Sequence, residues 1–530
     1  MKKIIYGNDA LQGLIAGIEK LSRAVKITLG PKGKNVALDR KYASPLITND
    51  GVTIAKEIEL ADEVENAGAK LIKEASIKTN DIAGDGTTTA IVLTEAIVKE
   101  GYKNLVAGAS PIKLRKGISK ATDYVCLQLD GFKRQVKTKD EIEQIATISA
   151  GDSAIGELIA SALETVGTNG VLTTEENTTG KTELVVLEGL QLDRGYESPY
   201  MITDNQKMEA VLENAYILVT DKKISSVQEI LPIIEPVIKD NKPLLIIAEE
   251  YDSDALATLI LNKVRGNLSC VCIKAPSFGE QRKEILQDLC ALTGATLISA
   301  DLAMNFSDAD NNYLGFAKKI RTNKDATTII DGNVNTEKLN ERIEQINSKL
   351  SAETGTFERE QLAERLAKLT GGIGVIKVGA NSEIEMQEKK LRIEDALSAT
   401  KAGREDGIVM GGGVALFRCI EPLKAYLETM KGDELTGAKI VLKAIEAPIK
   451  QIAENAGIDS GKITATLYAR KAEVALGYDA DANRFVNMFN AGIVDPTKVT
   501  KTALKNAASV ASTILTTETV VVDIDENKVK

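Results

Sequence analysis

Gly84-Asp85-Gly86-Thr87-Thr88-Thr89 stands directly before an apolar helical pattern running through Ala90, Ile91, Leu93 and Ile97 to Gly101. Glycines let a backbone approach a ligand closely, and unpaired amides and hydroxyls at a helix start donate to phosphate oxygens. A carboxylate in the middle of such a corner would repel phosphate unless a cation stood between them, so Asp85 reads as a magnesium ligand. An ordinary capped turn would use the same residues, and the local pattern leaves both readings open. Thr28-Leu29-Gly30-Pro31-Lys32-Gly33 is a second glycine-rich corner, with a plain helix stop as its alternative. Gly411-Gly412-Gly413, before a later helix, is a third. No GxxxxGK[ST] string occurs, which excludes a P-loop enzyme.

Composition narrows the chemistry further. The 530 residues contain no histidine, so no Ser-His-Asp or Cys-His triad, HExxH zinc site or imidazole acid-base step is possible. Carboxylates, hydroxyls, lysines or a bound metal must do the work. The 66 basic and 76 acidic residues leave a net charge of -10 with no basic block, and tryptophan is absent, which argues against nucleic acid as a partner. Five scattered cysteines, Cys126, Cys270, Cys272, Cys290 and Cys419, fit a reducing compartment and buried thiols rather than a disulfide scaffold. No apolar run is long enough to span a bilayer, and the N-terminus has neither signal nor transit character, so a soluble protein used where it is made is expected.

The elements that must position these corners follow from periodicity. Asn8 is expected to cap a helix through Leu11, Leu14, Ile15, Ile18, Leu21 and Val25, which Gly30-Pro31 stops; a second helix spans about 62–80. From about 189 to 373 the texture alternates: strand 244–248, helix 254–265, strand 271–274, helix 281–292 and strand 296–299, the mark of a separate α/β domain. Cys270 and Cys272 should share one face of their strand. Leu339, Ile343, Ile346 and Leu350, then Leu362, Leu366 and Leu369 beyond Gly355, describe a helical hairpin. After Gly413 the chain reads helical again, ending in a β-rich tail over 519–524. In 225–239 the set Val227, Ile230, Leu231, Ile233, Ile234, Val237 and Ile238 is wider than one core stripe needs, and Leu256, Leu259, Ile260, Leu261 and Val264 repeat the excess. Burial on two sides or an exposed apolar surface would each explain it.

Together the strings Thr28-Leu-Gly-Pro-Lys-Gly33, Asn49-Asp-Gly-Val-Thr53, Gly84-Asp-Gly-Thr-Thr-Thr89, Glu394-Asp-Ala-Leu397, Gly411-Gly-Gly413 and Asp495-Pro-Thr-Lys-Val-Thr500 resemble, in order and over nearly the whole chain, those of the GroEL-type group I chaperonins. The resemblance implies a multidomain α and α/β fold. A mainly helical equatorial ATPase domain would join 1–132 and 406–530, a small α/β intermediate hinge domain would join 133–188 and 374–405, and an α/β apical domain, 189–373, would be inserted mid-chain. It further implies ATP, Mg2+ and K+ bound around Thr28, Leu29, Gly30, Pro31, Asn49, Asp85, Gly86, Thr87, Thr88, Thr89, Gly412, Asp479, Ala480, Asp481 and Asp495, with Asp85 on the metal. Asp50 and Asp395 would position or activate the attacking water. Tyr196, Tyr200, Met201, Leu231, Ile234, Leu256, Ile260 and Leu261 would form an apical groove for non-native polypeptides and for a co-chaperonin ring, in two stacked seven-membered rings.

The sequence departs from that pattern at Asn49, where lysine is usual, at Asp479-Ala480-Asp481, where Asn-Ala-Ala is usual, at Glu197 on the groove edge, and in one residue fewer after Ser149-Ala150-Gly151. The C-terminus lacks a Gly-Gly-Met repeat. Asn49-Asp-Gly-Val-Thr-Ile-Ala-Lys-Glu-Ile and Ala507-Ala-Ser-Val-Ala are most similar to the cyanobacterial and plastid branch, which implies a bacterial cytoplasm or a plastid stroma. A small-metabolite kinase or ligase would need a polar substrate pocket where the sequence offers apolar helices. A chaperonin-fold binder without efficient cycling would be distinguished by its ATP turnover.

Overall fold

A computed structural model of the protein describes residues 2–39, 45–167, 171–177, 180–187, 189–205, 207–301, 304–334, 336–353 and 355–523. The chain forms two compact units, one of Met1–Ser161, Glu176–Thr182 and Val378–Lys530, the other of Ala162–Glu175 and Glu183–Lys377.

The first unit opens with β1 (Lys2–Tyr6), which runs straight into α1 (Gly7–Val25). The expected apolar stripe of α1 is buried, but Asn8 lies inside its first turn and does not cap it. Because no loop separates strand from helix, the N-cap is Tyr6, and the Asn8 side chain instead accepts from the Tyr102 hydroxyl at 2.9 Å. Next come the hairpin β2 (Val36–Leu38) and β3 (Leu46–Thr48), then α2 (Gly51–Glu57), α3 (Glu63–Ala83), α4 (Thr87–Val106), α5 (Pro111–Phe132) and α6 (Lys139–Ala150). A capping box between Thr138 and Glu141 fixes the start of α6. The helix α7 (Ser153–Val166) then leads across the unit boundary.

The second unit holds a three-stranded sheet of β4 (Val171–Glu176), β5 (Glu183–Leu187) and, later in the chain, β14 (Ile373–Val378). Its main sheet has six strands: β6 (Gly189–Leu192), β7 (Ala210–Val219), β9 (Leu244–Ala248), β11 (Cys270–Lys274), β12 (Gly315–Thr322) and β13 (Thr327–Gly332), ordered β11-β9-β7-β12-β13-β6. The strands β7, β9 and β11 are parallel, joined through α8 (Val227–Lys239) and α9 (Ser253–Val264), and the short pair β8 (Lys223–Ile224) and β10 (Glu250–Tyr251) flanks these crossovers. Residues 244–248 form the expected strand with every side chain buried, as befits a strand covered on both faces. Cys270 and Cys272 are buried on β11 with their thiols in mutual hydrogen-bonding reach, so they share a face as expected. Residues 296–299 are not a strand: Ile298 makes one isolated bridge to Thr220, and Thr296 N–H donates to the Tyr313 carbonyl, so no ladder forms.

Three helices close that unit: α10 (Gly279–Thr293), α11 (Thr336–Ala352) and α12 (Thr356–Thr370), the last two forming the hairpin expected around Gly355. They are locked by buried charge. Asp288 accepts from Arg342 Nε at 2.6 Å and from Arg365 Nε at 2.8 Å, while Glu284 accepts from Arg342 Nη2 at 2.7 Å, Arg365 Nη2 at 3.0 Å and Lys349 Nζ at 2.8 Å.

Returning to the first unit, the chain makes the long α13 (Glu383–Asp406), β15 (Ile408–Met410), α14 (Val414–Arg418), α15 (Ile420–Leu427), α16 (Gly432–Ala444), α17 (Ala447–Asn455) and α18 (Ser460–Ala469). The hairpin β16 (Leu476–Asp479) and β17 (Arg484–Asn487), then β18 (Val494–Pro496), α19 (Thr497–Leu515) and β19 (Thr519–Asp523) complete it. This stretch therefore carries more strand than the sequence suggests. The helix α19 packs on α3, α4 and α5, and β19 pairs antiparallel with β1, from Lys2 opposite Asp523 to Tyr6 opposite Thr519. The end of the expected β-rich tail and the charged C-terminus, 524–530, lie outside the described residues.

The charge cluster on α10 makes a stability prediction. Burial alone would push the Glu284 carboxyl up, but the Lys349 hydrogen bond and the Arg342 and Arg365 charges hold it down at about 2. A depressed carboxyl stabilises the fold above its unfolded value of 4.5, and that contribution is lost as pH falls from there to about 2. Arg342→Met should strip Asp288 of one partner and cost about 3 kcal/mol at neutral pH, read as faster amide hydrogen exchange across α10 and α11. The variant should also lose part of the parent's acid-dependent destabilisation between pH 4.5 and 2.

Candidate functional site

The loop between α3 and α4 is the centre of the site. Gly84 ends α3 at φ 69° and Gly86 starts α4 at φ 80°, both in the left-handed region that glycine tolerates. Each also lacks room for a Cβ: one on Gly84 would come within 2.3 Å of Ser398 on α13, and one on Gly86 within 2.5 Å of Val499 on α19. The loop is thus clamped between two helices from the far end of the chain. No side chain caps α4, so the amides of its first turn remain available to an anion.

Other corners converge on it within the first unit. Thr28 Oγ1 lies 3.3 Å from Thr88 Oγ1 and donates to the Val25 carbonyl at 2.9 Å. The turn 26–29 is held from behind by Asn455 on α17, whose Nδ2 donates to the Lys26 and Leu29 carbonyls at 2.8 Å each. Asn49 leads into α2, which abuts the start of α4: a Cβ on Gly51 would reach Thr88 Oγ1 at 2.3 Å. Asp50 is the N-cap of α2, accepting from Val52 N at 3.1 Å, Thr53 N at 3.0 Å and Thr53 Oγ1 at 2.5 Å. The ladder β15–β18 sets Val409 opposite Asp495, and the Gly411 amide donates to the Ile493 carbonyl at 2.9 Å, so Gly411–Gly413 and Asp495 share one edge.

Four carboxylates act on one another there through Asp85, which interacts electrostatically with Asp50, Asp395 and Asp495. Asp85, Asp395 and Asp495 lie in a cleft, each keeping some accessible surface while protein surrounds most of it. Burial pushes the Asp395 carboxyl well up, and the charges of Asp50, Asp85 and Glu394 add to it. Burial also raises Asp85 and the Asp50 charge adds, outweighing hydrogen bonds from Gly86 N–H at 2.5 Å and Ser149 Oγ at 2.8 Å. Burial, followed by the charge of Asp85, raises Asp495 to about 7. So much like charge in one cleft is a standing demand for a cation. Among the described residues, no three Cys, Asp or Glu side chains cluster closely enough to hold a metal alone.

Asp479 ends β16, and its Oδ1 accepts from Asp481 N and Ala482 N at 3.0 Å each, closing the β16–β17 turn. Ala480 is buried and Asp481 exposed. Two residues that the sequence pattern did not single out for the site, Ser149 and Asn455, make direct contacts in it. Each is a lone polar residue on a helix, a signal too common to find from sequence.

In the second unit the surplus apolar residues of α8 and α9 divide. Ile230, Ile233, Ile234 and Val237 face the core, whereas Leu231 and Ile238 are 40% and 44% exposed. On α9, Ala255 and Leu259 are buried, Leu256 and Ile260 half-buried, and Leu261 is 46% exposed. The expected groove thus needs correction at two positions. Ile234 belongs to the i, i+3, i+4, i+7 stripe against the sheet, and Met201 is fully buried, its sulfur accepting from the Cys272 amide at 3.2 Å. Tyr200, by contrast, is 73% exposed and Tyr196 half-buried. The helix α9 lies against both α8 and the turn 199–201, and Lys263 ties it there by donating to the Met201 and Ile202 carbonyls. Glu197, which pairs with Lys274 at 3.6 Å, puts charge near this surface.

Among the described residues no helix is long and apolar enough to cross a membrane. Comparison with known proteins agrees with the fold. The structure of the chaperonin gp146 from bacteriophage EL 2 (Pseudomonas aeruginosa), crystallised in the presence of ATP-BeFx, matches with a TM-score of 0.71 at 21% identity over 98% of this chain and 99% of that one. The model of the TCP-1/cpn60 chaperonin family matches residues 21–525, from before the Thr28 corner to beyond Asp495. By that match, and with the three glycine corners and the carboxylates meeting in one unit, the chain belongs to the TCP-1/cpn60 chaperonin family.

Proposed function

We propose that the protein is an ATP-driven folding chaperone that binds non-native polypeptides on an apolar apical surface and encloses them in a ring cavity closed by a co-chaperonin ring. The carrying observation is the convergence of Asp50, Asp85, Asp395 and Asp495 on the uncapped start of α4. Residues 1–132 and 406–530 form the equatorial domain in this reading, 133–188 and 374–405 the intermediate, and 189–373 the apical, in two stacked seven-membered rings. ATP lies against Thr28–Pro31, Asn49, Asp85–Thr89, Gly412, Asp479–Asp481 and Asp495. Asp85 would hold a bound magnesium, which, with potassium as a second cation, would supply charge neutralisation for the phosphates and relieve the repulsion among the carboxylates.

Asp395 orients the attacking water. Its position on α13, far in sequence from the phosphate corner, makes hydrolysis conditional on the docking of that helix, in keeping with phosphoryl transfer governed by positioning and charge neutralisation. Asp50, whose oxygens already cap α2, contributes charge and position more than proton abstraction. Leu231 and Leu261, with Tyr200 and the half-buried Leu256, Ile260 and Tyr196, supply a non-directional apolar surface that suits clients of any sequence.

Three measurements test this reading. Asp395→Ala should slow steady-state ATP hydrolysis by roughly two orders of magnitude while calorimetric ATP binding persists, since a water-orienting group acts mainly in the transition state; unchanged turnover would remove Asp395 from the mechanism. Leu231→Ser should abolish capture of an unfolded protein and leave ATPase activity intact, whereas Ile234→Ser, a core change, should destabilise the second unit by about 3 kcal/mol. Equal behaviour of the two variants in capture and melting assays would contradict the division of α8 into core and surface. Asp479→Asn keeps an oxygen for the 479–482 turn and adds a donor toward the base, so ATP affinity should tighten about fivefold, the worth of one hydrogen bond. Identical titrations would mean that this side chain does not touch the base.

A further inference from the structure

We infer that Ser149 is a positioning residue for the Asp85 carboxylate, so that α6 and α13 act as one docking element that supplies Ser149 to the metal ligand and Asp395 to the water. This rests on the proposed function and adds a role to a residue outside the family's nucleotide strings.

The argument begins with the two oxygens of Asp85. Oδ1 accepts from the Gly86 amide at 2.5 Å, a contact inside the loop itself, while Oδ2 accepts from Ser149 Oγ at 2.8 Å across 64 residues of sequence. With a donor on each oxygen the carboxylate cannot rotate freely, and its remaining lone pairs have a fixed direction. Only one of these donors belongs to the loop. The other arrives on α6, so orientation of the carboxylate depends on where α6 sits.

The seat of α6 is set by packing shared with α13. Ile145 is buried in a small cluster with Ala399, Ile408 and Val494, and its Cδ1 lies close over Gly403 of α13, 2.8 Å from where a Cβ would stand. Ser149 is one helical turn beyond Ile145, and Asp395 one turn before Ala399. The packing of α6 on α13 around this cluster thus fixes both polar groups relative to each other. Near the same level, Ser398 of α13 rests on Gly84, and Arg392 Nη1 of α13 donates to the Ala150 carbonyl at 3.3 Å. The α6–α13 pair therefore meets the loop at Gly84, Asp85 and the water-facing side together. Outer hydrogen bonds of this kind orient metal ligands, and their loss lowers metal affinity by about 10- to 100-fold.

The test is the magnesium dependence of nucleotide binding, measured by calorimetry with a non-hydrolysable ATP analogue at graded Mg2+ on the full-length assembly, with turnover recorded alongside. Ser149→Ala should raise the Mg2+ concentration for half-maximal binding about tenfold. Analogue affinity at saturating Mg2+ and the thermal midpoint should stay at parental values. Ser149→Thr, which keeps the hydroxyl, should restore the parental Mg2+ requirement. An unchanged requirement in Ser149→Ala, with a parent that binds in a Mg2+-dependent way, overturns the positioning role and leaves the proposed function intact. A parent that binds no nucleotide at any Mg2+ concentration overturns both.

Discussion

Repulsion among partly buried carboxylates is the constraint around which the first unit is organised. Asp85, Asp395 and Asp495 come from three remote stretches, and each is pushed toward its neutral form by burial and by its neighbours. A fold that gathers them at its own expense must recover that cost elsewhere, through α19 packed across α3, α4 and α5 and the large shared core of the first unit. The site is then a stable scaffold with a local electrostatic strain that a bound cation would relieve. Binding free energy is therefore available for organising charge rather than for building structure.

The second unit follows the opposite logic. Its strands β9 and β11 are almost entirely buried, and its charge cluster on α10, α11 and α12 is internally neutralised, with Arg365 bidentate on Asp288. Among the side chains it leaves exposed are apolar ones, Leu231 and Ile238 on α8 and Leu261 and Val264 on α9. A rigid sheet beneath such a surface lets those side chains stay in water without collapsing inward, because the core stripe of each helix is already filled.

Legibility from sequence tracked how local each cause is. The Gly84–Thr89 corner was readable because its glycines, carboxylate and hydroxyls act within one turn, and the 244–248 strand because a short apolar run bounded by turns has few alternatives. The α11–α12 hairpin was readable from periodicity alone. The surplus on α8 is compatible in sequence with burial on two sides or with an exposed surface, since Ile234 and Leu231 differ only by the rotation that the sheet imposes. Asn8 failed as a cap because β1 pairs with a strand more than five hundred residues away and runs straight into the helix, a tertiary cause invisible locally. Ser149 and Asn455 were missed for the same reason, as their partners are remote in sequence. The pairing of β15 with β18, three residues each, is too short to leave any periodic trace.

The antiparallel pairing of β1 with β19 has a consequence for the making of the protein itself. Its registered residues run from Lys2 opposite Asp523 to Tyr6 opposite Thr519. At about 5–20 residues per second, the first strand emerges roughly half a minute to two minutes before its partner has been synthesised. Over that interval the first unit's helices lack the α19 surface they pack on, whereas the second unit has all the strands of its main sheet once synthesis has passed Gly332. The strands of the middle of the chain are thus all made before the first unit can close, and the surfaces of α3, α4 and α5 that α19 covers must wait for the last residues to be synthesised.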